Sequence, residues 1–343
     1  MIEAGKTNSV QSVSVQKKSI TVAGAGISGL WQALTLAEAG HRVCLMEKSA
    51  EPFAASSSRW AGAMIAPECE SESAPEIVRD MGRRGLPMWR AAYPGIVENG
   101  TLVVAAVRDR SELTRFQRMT ENHQLLHSTR VAELEPEFAD RFDAALFFPH
   151  EAHMDAAAAL DALLRKVREA GVEVLLGTPW EQGDGELSID CRGMSARGDI
   201  QDLRGVRGER IVVMAKDVKL SRPVRLLHPR QPIYVVPQGD GRFVIGATVI
   251  EREDDGPMTV RSALELLGSG FALHPGFAEA EIIDMGVGLR PAFPDHVPRI
   301  IVENDGDVIR VNGMYRHGFL LAPVIADAVA AYVADGTRHQ LMG

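Results

Sequence analysis

The stretch Ser19-Ile20-Thr21-Val22-Ala23-Gly24-Ala25-Gly26-Ile27-Ser28-Gly29-Leu30 decides how this chain folds. Ile20 to Ala23 is a short apolar run that reads as a buried strand. Glycines follow at once, and Leu30, Ala33, Leu34 and Ala37 then recur at helical spacing as far as Gly40, a suitable residue to end a helix. His41 to Lys48 (HRVCLMEK) reads as a second strand. The result is a βαβ unit of about 28 residues, the minimal nucleotide-binding half of a doubly wound sheet. Within it, Gly24 permits the tight turn, Gly26 lets the backbone approach a pyrophosphate, and Gly29 lets helix and strand pack closely. With Ala25, Ile27 and Ser28 they form a helix N-terminus whose amide donors and positive dipole attract phosphate. Glu47 ends the second strand, where a carboxylate takes ribose hydroxyls and argues against a 2′-phosphate, and so against NADP. A merely structural glycine turn is the alternative. Strand, helix and acid in one register favour a dinucleotide site.

The rest of the composition narrows the class. A chain of 343 residues with 45% hydrophobic and 24% charged residues is globular, with length for about two domains. The 37 basic against 46 acidic residues give a net charge of −9, no footprint for gripping nucleic acid. Residues 1–18 are polar, lack the apolar core of a signal peptide and read as a flexible tail; no run of eighteen apolar residues follows, so a cytoplasmic protein without a membrane span is expected. Cys44, Cys69 and Cys191 are an odd number and far apart, which indicates neither a disulfide framework nor a zinc site. His123 and His127 share helical spacing but have no third candidate ligand nearby and read as a solvated face.

Further along, Met154 to Val174 reads as a helix feeding a strand at Val172 to Leu176, again α/β sequence. Thr101–Val107, Ala144–Phe148, Ile211–Met214, Ile233–Pro237, Phe243–Val249 and Glu281–Val287 are short β-like runs, with Gly239-Asp240-Gly241 a hairpin turn between two of them. They suggest a second, largely antiparallel sheet. Residues 19–84, 150–205 and 286–343 are therefore assigned to a Rossmann-type dinucleotide domain, interwoven with a substrate domain from residues 85–149 and 206–285, an α/β (α+β overall) fold. Gly318 to Ala334 reads as a buried C-terminal helix, with Pro323 near its start.

Ala55-Ser56-Ser57-Ser58-Arg59-Trp60-Ala61-Gly62-Ala63-Met64-Ile65-Ala66-Pro67 offers small residues and hydroxyls that suit a pyrophosphate and a flavin edge, or an ordinary serine-rich loop. The segment resembles the S-x-x-A-G-x-x-x-P stretch of the D-amino-acid oxidase superfamily. The resemblance continues at Leu134-Glu135-Pro136, Tyr234-Val235-Val236-Pro237, Gly246-Ala247-Thr248, Gly288-Leu289-Arg290-Pro291 and Asn312-Gly313-Met314-Tyr315-Arg316-His317-Gly318-Phe319-Leu320-Leu321-Ala322-Pro323. It is nearest to the glycine-oxidase, thiamin-biosynthesis branch and covers about Ser19 to Tyr332. The last two motifs, in this order, are the specific ones.

The resemblance implies roles position by position. Arg290 binds the substrate carboxylate, Arg316 lies beside the flavin and touches substrate, and Tyr234 helps hold the carboxylate. The backbone from Met314 through Tyr315, Arg316, His317, Gly318 and Phe319 to Leu320 lines the flavin ring. Glu47, Lys48, Ser57, Ser58, Ala61, Gly62 and Ala63 contact FAD, and Trp180 offers backbone to the adenine. Physics agrees on the arginines, since a guanidinium forms two parallel charge-assisted bonds to a carboxylate and keeps its proton. The competing readings are a salt bridge from Arg290 to Asp284 or Asp295, a solvated Arg316 and a core Tyr234. Gln238 stands where the family's Y-x-V-P is usually followed by Arg, and Cys191 reads as a small buried hydrophobe. No cysteine follows Cys191, so flavin attachment through a C-terminal-loop cysteine, as in sarcosine oxidases, is excluded and FAD is expected to bind non-covalently.

The activity implied is FAD-dependent oxidative deamination of glycine or another small amino acid, with hydride passing from Cα to flavin N5 and O2 reduced to peroxide. The imine product would supply thiazole synthesis, by hand-over to a thiazole synthase. Two other readings stay open: a D-amino-acid or sarcosine dehydrogenase or oxidase of the same fold, which peroxide production and a substrate panel distinguish, and the flavin domain of a tRNA-modifying protein, against which the −9 charge weighs. Assembly into a homo-oligomer is left open.

Overall fold

The computed structural model describes residues 17–183 and 186–342. Most of the expected tail, residues 1–16, lies outside them. Lys18 is inside, and its Nζ donates to the Val333 carbonyl at 3.1 Å. The opening motif forms β1 (Ser19–Ala23), α1 (Ile27–Glu38) and β2 (Arg42–Glu47), with β1 and β2 parallel. These two strands sit inside a six-stranded sheet ordered Arg299–Glu303, Val308–Asn312, Leu187–Asp190, β1, β2, Glu173–Leu176. Only the Arg299–Glu303 edge strand is antiparallel to its neighbour.

The second sheet has eight strands: Glu281–Ala292, Arg204–Met214, Arg242–Gly246, Ile233–Pro237, Val224–Leu227, Thr101–Ala105, Ala144–Phe148 and Gln124–His127, in that order. It is antiparallel except where Val224–Leu227 meets Thr101–Ala105. The interwoven α/β fold with a second, largely antiparallel sheet is therefore present. The Gly239-Asp240-Gly241 turn joins Ile233–Pro237 to Arg242–Gly246, closed by Arg242 N donating to Gly239 O at 2.9 Å.

Two strands are longer than their apolar runs suggest. Ile211–Met214 extends back to Arg204, and Glu281–Val287 extends forward to Ala292. The extra part of the first is Arg-Gly-Val-Arg-Gly-Glu-Arg, which lacks a hydrophobic signature because its polar groups satisfy one another in the interior. Arg207 and Glu209 are buried and paired at 2.7 Å, and Thr248 Oγ1 donates to Glu209 at 3.0 Å. The boundaries expected at 205/206 and 285/286 fall inside these two strands. Thr101–Val107 and Phe243–Val249 stop earlier than expected, at Ala105 and Gly246.

The C-terminal helix runs Gly318–Asp335 and is, among the described helices, the one long and apolar enough to cross a membrane, with mean hydropathy 1.6. Its apolar residues are instead largely enclosed: Leu320, Leu321, Val324, Ile325 and Val329 belong to the core that α1 and the helix Glu76–Ala92 also build. Pro323 has no N–H to give to the carbonyl of Phe319. That carbonyl accepts the Trp89 indole N–H at 2.6 Å instead, and Trp89 stacks on Phe319 at 5.7 Å. The proline thus fits inside the helix without an orphaned acceptor.

Candidate active site

A cavity of about 850 Å³ is lined by residues of both sheets and of the C-terminal loop. At one end lies the glycine turn. Gly24 has φ +94° and donates to the Met46 carbonyl at 2.8 Å; a Cβ there would stand 2.8 Å from the Cys191 carbonyl. The N-cap residue of α1, Gly26, supplies no side-chain cap, and no acidic residue in the first turn opposes the positive end of the helix dipole, which suits an external anion. Ser58 Oγ accepts from Ile27 N at 3.1 Å, and Glu47 accepts from Ala25 N at 2.9 Å and Ser49 N at 3.0 Å.

Of the residues expected around a dinucleotide, Gly24, Gly26, Ile27, Ser28, Glu47, Lys48, Ser57, Ser58, Ala61, Gly62, Ala63, Trp180 and Met314 to Leu320 border the cavity. Ala25 and Gly29 are not on its wall. Ala25 is committed to Glu47, and Gly29 lies behind the turn, where a Cβ would be 1.8 Å from the Gly24 carbonyl. Lys48 Nζ reaches Ser195 Oγ at 2.9 Å, and the Arg192 guanidinium covers the Trp180 ring at 4.6 Å. Cys191 is buried, its thiol pushed up to about 12 by burial, in keeping with a small hydrophobe.

At the other end stand Arg290, Tyr234 and Arg316, 26 or more residues apart in sequence. The Tyr315 amide donates to the Pro291 carbonyl at 2.8 Å and so ties the C-terminal loop to the strand that carries Arg290. Arg290 lies flat over Gly208 of the neighbouring strand, where a Cβ would be 2.1 Å from its Cζ. Among the described residues, its side chain's one hydrogen bond runs to the Thr248 carbonyl at 3.0 Å. Neither rival acid holds it: Asp284 pairs with Arg210 at 3.8 Å and Asp295 with Arg299 at 3.3 Å. Among the described residues no carboxylate lies within ion-pair distance of Arg290. Burial lowers the pKa of this guanidinium from its ordinary value; Tyr234 opposes that shift and the charge of Arg316 adds to it. Tyr234 is not a core tyrosine; its ring packs over Gly62 and Gly246 on the cavity wall.

Arg316 is exposed but not free. Its Nη2 is 3.1 Å from Glu70 Oε2, and Glu70 also pairs with Arg225 and approaches His317 Nδ1 at 3.4 Å. Burial alone would raise the Glu70 carboxyl, but Arg316 and Arg225 outweigh it and hold the group well below the usual range. His317 is enclosed, and burial brings it down to about 4, so it is neutral at pH 7. Behind Glu70, the Cys69 amide donates to Glu151 at 2.7 Å, and burial pushes the Glu151 carboxyl up to about 7. Gln238 donates to the Pro237 and Met154 carbonyls at 3.2 and 3.4 Å, while Arg242 reaches Asp155 at 3.2 Å.

Glu70 and Arg225 escaped the sequence reading. The available signals were a carboxylate beside the buried Cys69 in Pro67-Glu68-Cys69-Glu70, and a lone arginine inside the apolar run Val224-Arg225-Leu226-Leu227. Each is a charge in an apolar setting, which demands a partner.

The model of the FAD-dependent oxidoreductase (DAO) family matches residues 19–332. The chain belongs to this family. It is 49% identical over 313 residues to a thiamine biosynthesis oxidoreductase, ThiO, of Rhizobium etli, covering 91% of this chain and 95% of that one. A glycine oxidase of Bacillus licheniformis is 26% identical over 90% of this chain and 91% of its own. In fold, the glycine oxidase of Bacillus cereus superposes with a TM-score of 0.80 at 21% identity, over 95% of this chain and 97% of that one. The residues present fit the family's cofactor: the uncapped α1 N-terminus suits the FAD pyrophosphate, Glu47 the ribose, and the Ser57 to Ala63 and Met314 to Leu320 segments enclose space for a ring.

Proposed function

We propose that the chain is an FAD-dependent amino-acid oxidase that deaminates glycine or another small amino acid, as the ThiO and glycine oxidase relatives suggest. The observation that carries the reading is Arg290, a guanidinium without a carboxylate partner among the described residues, in the cavity that also contains the dinucleotide cradle. An inward arginine with free donors is a ready anchor for the substrate carboxylate, by two parallel charge-assisted bonds. Tyr234, on the same wall, adds its hydroxyl to the carboxylate and limits the room above it. When bound, FAD supplies the oxidant, accepting the Cα hydride at N5 and passing the electrons to O2. The chain's own contribution is positioning and exclusion of water, which lets a bound neutral amine become an imine without a protein base. Arg290, Arg316 and Tyr234 form the substrate end of the site.

In this reading FAD is held non-covalently by Gly24, Gly26, Ile27, Ser28, Glu47, Lys48, Ser57, Ser58, Ala61 to Ala63, Trp180 and Met314 to Leu320. The imine passes to a thiazole synthase in the cytoplasm, a reading in keeping with the thiamine biosynthesis that the name of the Rhizobium etli relative states. Incubation of purified protein with glycine, N-methylglycine and D-amino acids, with peroxide and flavin spectra recorded, tests the reading. Yellow protein that releases FAD on acid precipitation and forms peroxide with glycine is expected. Colourless protein, or flavin that glycine does not reduce, refutes it; reduction without peroxide moves the protein to the dehydrogenase reading.

A further inference from the structure

Five arginines line the cavity, Arg115, Arg192, Arg225, Arg290 and Arg316, and the last three are not equivalent. Among the described residues Arg290 has no carboxylate partner, whereas Arg225 and Arg316 converge on the largely enclosed side chain of Glu70. Two arginines closing on one carboxylate is the arrangement by which proteins bind carboxylate ligands. We propose that Glu70 is a specificity-determining residue, a tethered carboxylate that fills a second anion subsite and so reserves the cavity for substrates with a single carboxylate. The inference rests on the reading of Arg290 as the substrate anchor and deepens it.

The backbone around Glu70 is fixed from outside the cavity. It ends the short helix Pro67–Glu70, whose Cys69 amide is held by Glu151 at 2.7 Å and whose Glu68 is gripped by Arg83 through bonds of 2.6 and 2.9 Å. The carboxylate is therefore presented to Arg225, Arg316 and His317 from a rigid turn. A substrate with one carboxylate docks on Arg290 and leaves this cluster intact. One with a second carboxylate, such as iminodiacetate, meets a pair of arginines that already face a fixed carboxylate. It must compete with Glu70 for their donors and is repelled by the Glu70 oxygens, so discrimination comes from an element that disfavours the wrong ligand as well as one that favours the right one. With Glu70 made neutral, Arg225 and Arg316 regain free donors and the second subsite opens.

The test uses the FAD-loaded protein and the Glu70→Gln and Glu70→Asp variants. Acetate and malonate serve as non-reacting probes whose binding is read from the flavin absorbance, and glycine and iminodiacetate as substrates. Wild type is expected to favour acetate over malonate, and glycine over iminodiacetate, by about tenfold or more. Glu70→Gln should shift both ratios toward the dicarboxylate by at least about tenfold, through tighter malonate binding and lower KM for iminodiacetate, while Glu70→Asp stays near wild type. If loss of the buried carboxylate strips the flavin, the double variant Glu70→Gln/Arg225→Met removes the orphaned charge and should still shift the ratios through Arg316. Wild type that binds malonate as well as acetate, or Gln variants with unchanged ratios, overturns the role of Glu70. Wild type that binds neither acetate nor glycine instead overturns the function proposed for the site.

Discussion

Replacing Gly208 by alanine would test the anchor without touching it. Gly208 has an ordinary extended backbone in the strand Arg204–Met214, so alanine imposes no conformational penalty there. The new Cβ, however, would stand 2.1 Å from Arg290 Cζ, 2.2 Å from Nη2 and 2.6 Å from Nη1. An ordinary contact begins near 3.4 Å, so the guanidinium must retreat by about 1.3 Å and stretch or break its 3.0 Å bond to the Thr248 carbonyl. The obstacle is the far end of a flexible side chain, so folding should tolerate the change. Catalysis should not, because a displacement of about 1 Å in a substrate-positioning group costs roughly 10²-fold. Steady-state peroxide assays with glycine should therefore show kcat/KM lower by about two orders of magnitude, with FAD content and melting temperature close to wild type. Near wild-type kcat/KM in a correctly folded Gly208→Ala protein would show that the position of Arg290 does not govern the reaction.

Arg290→Ala removes the two charge-assisted bonds outright, each worth about 1.5–3 kcal/mol, and should lower glycine kcat/KM by roughly 10²-fold or more with FAD retained; Arg290→Lys should recover part of this through charge without the fork. Loss of FAD or of melting temperature in place of activity would make Arg290 structural. Gly24→Ala, with φ +94° and a Cβ 2.8 Å from the Cys191 carbonyl, should yield protein depleted in FAD by absorbance at 450 nm or so, and full flavin occupancy would contradict the cradle. Glu151→Gln should become more stable relative to wild type as pH rises. The Glu151 carboxyl is raised from 4.5 to about 7 in the fold, so above pH 4.5 the unfolded chain ionises while the native state resists, a cost that grows to about 3 kcal/mol by the time pH passes 7. Melting temperatures of the two proteins from pH 5 to 8 that run parallel would refute this.

The β1-turn-α1-β2 unit was legible in the sequence because everything that specifies it is local. A strand run, a turn that only glycine can make, a helical repeat and a terminal acid all lie within thirty residues, and each constrains its neighbour through the backbone. The C-terminal helix was legible for the same reason, its apolar period being uninterrupted. The motif around Arg290 could be read as a carboxylate anchor by resemblance, yet the choice between substrate anchor and salt bridge was open while Asp284 and Asp295 were only nearby in sequence. Tertiary structure decided where those acids go: Arg210 and Arg299 take them, which leaves Arg290 facing the cavity. It also decided the state of Arg316, whose partner Glu70 lies 246 residues away along the chain. Likewise the Arg204–Arg210 part of the strand Arg204–Met214 has no apolar signature, because the partner that lets Arg207 be buried comes from its own buried face and from Thr248 on another segment. Local backbone preferences and periodicity are written in short windows of sequence. The pairing of buried charges is a long-range matter, set by which side chains the fold brings within about 4 Å, because a charge removed from water must find its partner wherever the packed chain supplies one.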